Sequence, residues 1–251
     1  MRLRHFVWLA LIAALTGCGN KPTGVYQGWI EADLVFVGPH EMGRLENLSV
    51  REGDKVAMGA PLFTLDDDLQ QADLRESEAT LANAQKEFQR AQALVKSNAG
   101  TQKALDDAEA ALRTAEAKLK SSQTNLARRK VASPANGSVQ EVYFRVGEIV
   151  PAGRPVISLL PPGNIKVRFF VPETVLPSLS LGETVAVSCD GCAPDLTAQI
   201  SFIAQTAEYT PPVIYSLEER SKLVFLIEAR PEKPEAFRVG QPVTVSLAAK
   251  R

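Results

Sequence analysis

Cys189 and Cys192 stand three residues apart, and that spacing could do chemistry. Thiols this close can close a disulfide, remain free, exchange with other thiols, or contribute to a metal site. Thioredoxin-like exchange needs a CxxC that opens a helix in a βαβ setting. Here the flanking residues alternate as strands do. A metal would need further ligands. The pair therefore reads as a structural disulfide across a hairpin turn, with free thiols as the alternative. A loop this short yields only a small stabilisation. Histidine offers little more. There are two, and His5 lies in a segment read below as removed, which leaves His40. A histidine triad or a multi-histidine metal site cannot be assembled from that. Charges balance to -1, and aromatics are 6% of the chain, which argues against a nucleic-acid surface. The reading is a non-enzyme with no catalytic residues, cofactor or metal.

The third cysteine, Cys18, follows an apolar run. Arg2 and Arg4 precede Phe6 to Leu15, a stretch too short to span a bilayer. Leu15-Thr16-Gly17-Cys18 resembles the lipobox of bacterial lipoproteins. Residues 1–18 are then a signal peptide, and Cys18 is the lipidated first residue of the mature chain. The resemblance implies a periplasmic protein, lipid-anchored to a membrane of a Gram-negative bacterium, with the inner membrane favoured. Gly19 stands where an aspartate would mark inner-membrane retention.

The elements that position these residues begin with an internal repeat. GRLENLSVREGDKVAMGAPLFTL, at 43–65, and GSVQEVYFRVGEIVPAGRPVISL, at 137–159, align at a constant spacing of 94. Gly43, Gly53, Gly59 and Pro61 match Gly137, Gly147, Gly153 and Pro155. Alternating apolar residues suit short strands, and the glycines suit turns. Two copies packed face to face would bury what one cannot. The repeat resembles the half-motif of lipoyl/biotinyl domains, with halves at 25–66 and 131–161. Carrier domains of that fold load a cofactor on a hairpin lysine. Here Asp66-Asp67-Asp68 follows the first half, and Lys55 is matched by Ile149. An enzyme-linked carrier is thereby disfavoured.

Between the halves, 67–130 lack proline and contain one glycine, Gly100. Leu74, Leu81, Phe88 and Val95 recur every seven residues, as do Leu105, Leu112, Leu119 and Leu126. Small residues follow three positions later. This is the seam of an antiparallel coiled coil folded at Gly100, with its tip near 97–101. Thr101 suits the cap of the second helix, Asp66 to Asp68 the start of the first, and Arg128 to Lys130 the end of the second.

A lipoyl-type half, a hairpin and a second half resemble the HlyD-type membrane-fusion family, the periplasmic adaptors of tripartite pumps. Arg90, Leu94 and Thr101 fall at the spacings of the family's tip pattern, Arg-x₃-Leu-x₆-Ser, with Thr101 replacing the serine but keeping its hydroxyl. The resemblance implies docking on a TolC-like outer-membrane channel through those residues. It also implies an inner-membrane transporter as partner and self-association, as a hexameric ring.

From Asn164 onward, runs such as 165–169, 184–188, 223–229 and 243–247 read as a small antiparallel β-barrel over 163–250. The fold class is thus mixed β and α: a split lipoyl-like sandwich with an inserted coiled-coil hairpin, then a barrel. Adaptors carry such a barrel. Their membrane-proximal domain is expected to be reduced here. Tyr209-Thr210-Pro211-Pro212-Val213-Ile214-Tyr215 resembles a segment of adaptors that serve ABC-type exporters. The rival reading is an envelope scaffold or substrate-binding lipoprotein without a channel partner. The exported substrate is not legible.

Overall fold

A computed structural model describes residues 24–209 and 223–247. Cys18 and the stretch 210–215 lie outside the described residues. The described residues form two compact units, one of Asp33–Pro162 and one that joins those up to Ala32 with those from Gly163 onward. The first strand, β1 (Val25–Ala32), falls in the second of these, although the sequence places all of 25–66 in the sandwich. It is described with the barrel.

The sandwich is built from β2 (Val35–Val37), β3 (Gly43–Leu48), β4 (Lys55–Val56), β5 (Pro61–Leu65), β6 (Lys130–Ala132), β7 (Gly137–Val142), β8 (Ile149–Val150) and β9 (Ile157–Leu160). One sheet has the order β2-β9-β7-β4 and the other β6-β5-β3-β8. The halves therefore do not pack as two separate sheets, as the repeat suggests. Each sheet takes its central pair from one half and its flanking strands from the other. The reason is visible in the backbone bonds. The Gly53 N–H donates to the Val139 carbonyl at 2.9 Å, and its counterpart Gly147 donates to Leu45 at 2.8 Å. Gly53 and Gly147 hold φ of +89° and +96°, a conformation glycine adopts without a Cβ penalty. Leu45, Leu62, Leu65, Val139, Val150 and Leu159 fill one shared core, with both halves represented. Neither half can satisfy its edge hydrogen bonds or cover its apolar face alone.

The insert forms α1 (Asp68–Lys96) and α2 (Gln102–Ala127). Each is about 40 Å long at 1.5 Å per residue. The heptad leucines are half-buried, and Ser77, Ala115 and Ser122 are fully covered. Ser77 and Ser122 meet with their hydroxyl oxygens 2.8 Å apart. Ser77 gives its proton to the Asp73 carbonyl, 2.8 Å away, so Ser122 is the donor between them. A polar contact at the base of an apolar seam sets the height at which the helices meet.

Arg129 departs from the expected helix-end role. Only 8% exposed, it turns into the sandwich, where Nη1 donates to the Met42 carbonyl at 2.9 Å. Its Nη2 lies 3.4 Å from the Glu41 carboxylate. Gly43 makes room for it, since a Cβ there would stand 2.7 Å from Nη1. Nearby, Arg44 and Asp66 form an ion pair at 2.6 Å. Asp66 also accepts the Asp68 N–H at 3.3 Å, and so serves the start of α1.

The second unit contains β1 with β10 (Ile165–Pro172), β11 (Thr184–Ser188), β12 (Leu196–Ile203), β13 (Glu208–Tyr209), β14 (Leu223–Pro231) and β15 (Pro242–Ser246). The sheet runs β10-β1-β15-β11-β12-β14-β13, and β10 also pairs with β14, closing a six-stranded barrel. β1 joins it because Tyr26 to Ile30 alternate with β10 and β15 on either side, in the register Gly28↔Phe169 and Gly28↔Val243. Ile30, Val167, Phe169, Val185, Ala198 and Ile227 point inward and are buried. Outside, Arg168 bridges Glu31 and Glu228 and lies 5.7 Å from the centre of the Trp29 ring.

The Arg44 hydrogen bond, then the Asp68 N–H, hold the Asp66 carboxyl below its ordinary range. A depressed folded pKa contributes stability above the unfolded value, near about 4, that disappears as pH falls through the folded one. Wild type should therefore melt higher than Asp66→Asn at pH 7, and the gap should shrink on acidification. A gap unchanged across a Tm–pH series would refute the assignment.

Candidate functional site

The hairpin tip brings together the three residues singled out for docking. Arg90 and Leu94 are one turn apart on α1 and share a face. The turn after them is a Schellman closure. The Ala99 N–H donates to the Leu94 carbonyl at 2.8 Å, and the Asn98 N–H donates to Val95 at 3.0 Å. Asn98 occupies the left-handed position at φ +57°. The sequence places the fold at Gly100, but Gly100 is not among the glycines at positive φ. Its role is space. A Cβ on Gly100 would lie 2.9 Å from the Leu94 Cβ, and its N–H donates to the Leu94 carbonyl at 3.1 Å. Asparagine tolerates left-handed backbone better than other residues with side chains, which is the signal that could have picked out Asn98.

This closure sets what the tip presents. Leu94 is 43% exposed although its backbone is tightly held. Thr101 caps α2: its Oγ1 accepts the Ala104 N–H at 3.2 Å. That use consumes a lone pair and leaves the hydroxyl proton for another acceptor. Arg90 is held by Glu87, with Nη1 at 3.0 and 3.1 Å from its two carboxylate oxygens. The exposed remainder of its N–H fork points to solvent. Glu87 was not anticipated, although its i,i+3 spacing to Arg90 is a standard helix pair. The tip thus offers an apolar knob flanked by a cationic donor and a hydroxyl, on a backbone pinned by its own caps. It has the chemistry of a recognition surface.

The other candidates fall elsewhere. Cys189 and Cys192 are joined by a disulfide across the turn between β11 and β12. The Cys192 N–H donates to the Cys189 carbonyl at 3.2 Å, and Gly191 sits at φ +77°. Lys55 is an exposed residue of β4, opposite Ser138. Among the described residues no group of three or more His, Cys, Asp or Glu could hold a metal ion, and no helix is long and apolar enough to cross a membrane.

A sandwich interlaced across an inserted hairpin, joined in sequence to a closed barrel, is the architecture of membrane-fusion proteins. The family model "RND MFP, barrel-sandwich hybrid domain" matches residues 33–160, just over half of the 251 residues. The chain belongs to this family of adaptor proteins of efflux systems. It is 29% identical to the "UPF0194 membrane protein in asrC 5'region" of Acidithiobacillus ferridurans, over 91% of this chain and 87% of that one. It is 32% identical to the "UPF0194 membrane protein YbhG" of Salmonella gallinarum over 66% of its length, which spans about half, 54%, of that relative. Among solved structures, the membrane fusion protein Spr0693 of Streptococcus pneumoniae R6 superposes with a TM-score of 0.70 at 20% identity, over 90% of this chain and all of that one. MacA of Actinobacillus actinomycetemcomitans gives 0.59 at 21%, over 90% and 78%. These structural likenesses establish the fold alone.

Thr101→Ala should lose about 1 kcal/mol of local stability at the tip, seen as faster amide exchange through the first turn of α2. Thr101→Ser should behave as wild type. Equal exchange in all three proteins would show that the cap contributes nothing.

Proposed function

We propose that this chain is the periplasmic adaptor subunit of a tripartite efflux or secretion system, linking an inner-membrane transporter to a TolC-like outer-membrane channel. The observation that carries the reading is the tip itself. Leu94 is held outward by a closed Schellman turn that a freely moving loop would not provide, and Arg90 and the Thr101 hydroxyl flank it. In this reading Leu94 packs on the channel end, and Arg90 and Thr101 donate hydrogen bonds to it. Cys18 carries the lipid that ties the chain to the membrane, with the inner membrane favoured. Several copies, six by family resemblance, stand side by side so that the hairpins line one conduit. The family model carries the RND name. An ABC exporter is nonetheless favoured as transporter, on the segment 209–215.

The rival reading is an envelope scaffold or substrate-binding lipoprotein. One feature speaks for it: an open, largely apolar cleft of about 620 Å³ on the barrel, lined by Leu176, Leu181, Phe202, Ile203 and Phe225 among others. That volume suits a small apolar ligand.

A photoreactive residue at the exposed Gln92 tests the two in cells. The adaptor reading expects a crosslink to an outer-membrane channel, lost or reduced at least tenfold by Arg90→Asp. A well-expressed, anchored chain that yields no channel adduct would leave the scaffold reading in its place. In the same cells Cys18→Ser should abolish incorporation of labelled fatty acid. Retained label would refute the anchor.

A further inference from the structure

The two halves of the sandwich are related by the constant spacing of 94, so each surface position has a twin in the same fold. On the outside of the first sheet, Phe36 and Glu141 are both cross-strand neighbours of Ser158. Phe36 is 58% exposed and Tyr143 41%, and their rings lie 6.5 Å apart. The twin row on the second sheet is Lys130 and Asn47, both neighbours of Thr64, with Ser49 in place of Tyr143. All three are exposed. The cross-strand partners in the two rows correspond, yet one row is aromatic and acidic and the other is basic and polar. The fold does not require aromatic residues at these positions, because the twin row forms without them. Ser158, opposite Phe36, is fully buried, and the two rings still leave apolar area in water.

We propose that the two outer faces are the complementary halves of a head-to-tail contact between copies of this chain. Phe36, Tyr143 and Glu141 of one copy receive Lys130 and its polar neighbours Asn47 and Ser49 from the next. The proposal rests on the self-association in the reading above and assigns its surfaces. A second copy is the fitting occupant because the chain carries both members of the pair. An ammonium against two aromatic faces and a carboxylate gains from cation–π and ion-pair attraction together. The two faces lie on opposite sides of one sandwich. A contact that uses both is heterologous, and repeats from copy to copy into a ring or filament.

The test is a pair of charge reversals in the full chain, purified in detergent, with self-association read by sedimentation velocity over a concentration series. Glu141→Lys alone sets lysine against lysine, and Lys130→Glu alone sets glutamate against glutamate. Each should weaken assembly on the order of tenfold. An equal mixture of the two should assemble like wild type. Glu141 of one variant then meets Lys130 of the other, and at the next contact the two introduced charges, also opposite in sign, face each other. Phe36→Lys with Tyr143→Ser installs the twin's own residues, and should keep the melting temperature while losing assembly. A monomeric wild type, a mixture that fails to recover, or single variants that assemble normally would each overturn the proposal. So would a Lys130→Glu variant that assembles normally while the aromatic variant does not, because the aromatic faces would then pair with each other. The channel reading fails separately. A missing channel crosslink beside intact mutual rescue would sink the channel partner alone, and failed rescue beside an intact crosslink would sink only these surfaces.

Discussion

Each sheet of the sandwich needs strands from both sides of the hairpin. The pairs Gly53–Val139 and Gly147–Leu45 are hydrogen bonds between segments far apart in sequence, and the shared core forms only when both segments are present. Such long-range pairing is entropically demanding. The coiled coil relieves part of that cost, because two helices closed against each other hold residues 65 and 130 near each other. The hairpin is thus a strut in the finished molecule and also the element that joins the halves of the sandwich.

That requirement explains why the junction is built from charged groups with specific partners. Arg129 leaves the end of α2, crosses into the sandwich and binds the Met42 carbonyl, while the Leu65 N–H donates back to the Arg129 carbonyl at 2.9 Å. A buried guanidinium must be hydrogen-bonded to be tolerated. Its position is therefore tightly defined, and with it the departure of the hairpin from the sandwich. At the other end of the helices the same economy holds. Leu94 gives its carbonyl to the turn and its side chain to the surface, so the backbone bonds that close the tip also present its apolar residue.

Much of this is legible in the residues alone. The seven-residue series and the small residues three positions later outline the seam: the first are half-buried, and Ser77, Ala115 and Ser122 of the second are fully covered. The repeat names the glycines of the turns, and Thr101 is identifiable as a cap. The departures share a cause. Proximity in sequence puts Val25–Ala32 in the sandwich, but strand pairing is decided by register with partners far along the chain, here β10 and β15. Glycine is the usual left-handed residue, which points to Gly100 as the turn. Asn98 takes that conformation, and Gly100 serves because no side chain fits against Leu94.

Periodicity, repeat spacing and the choice of turn residues are local, so the sequence alone determined the modules, their order and the residues at the tip. Which strand joins which sheet, how the halves interlace, where Arg129 turns and which faces of the sandwich differ depend on contacts between distant segments. Those contacts exist only once the chain has closed on itself. The local pattern names the pieces, and the competition among long-range hydrogen bonds and buried apolar surface, settled in three dimensions, decides how they fit together.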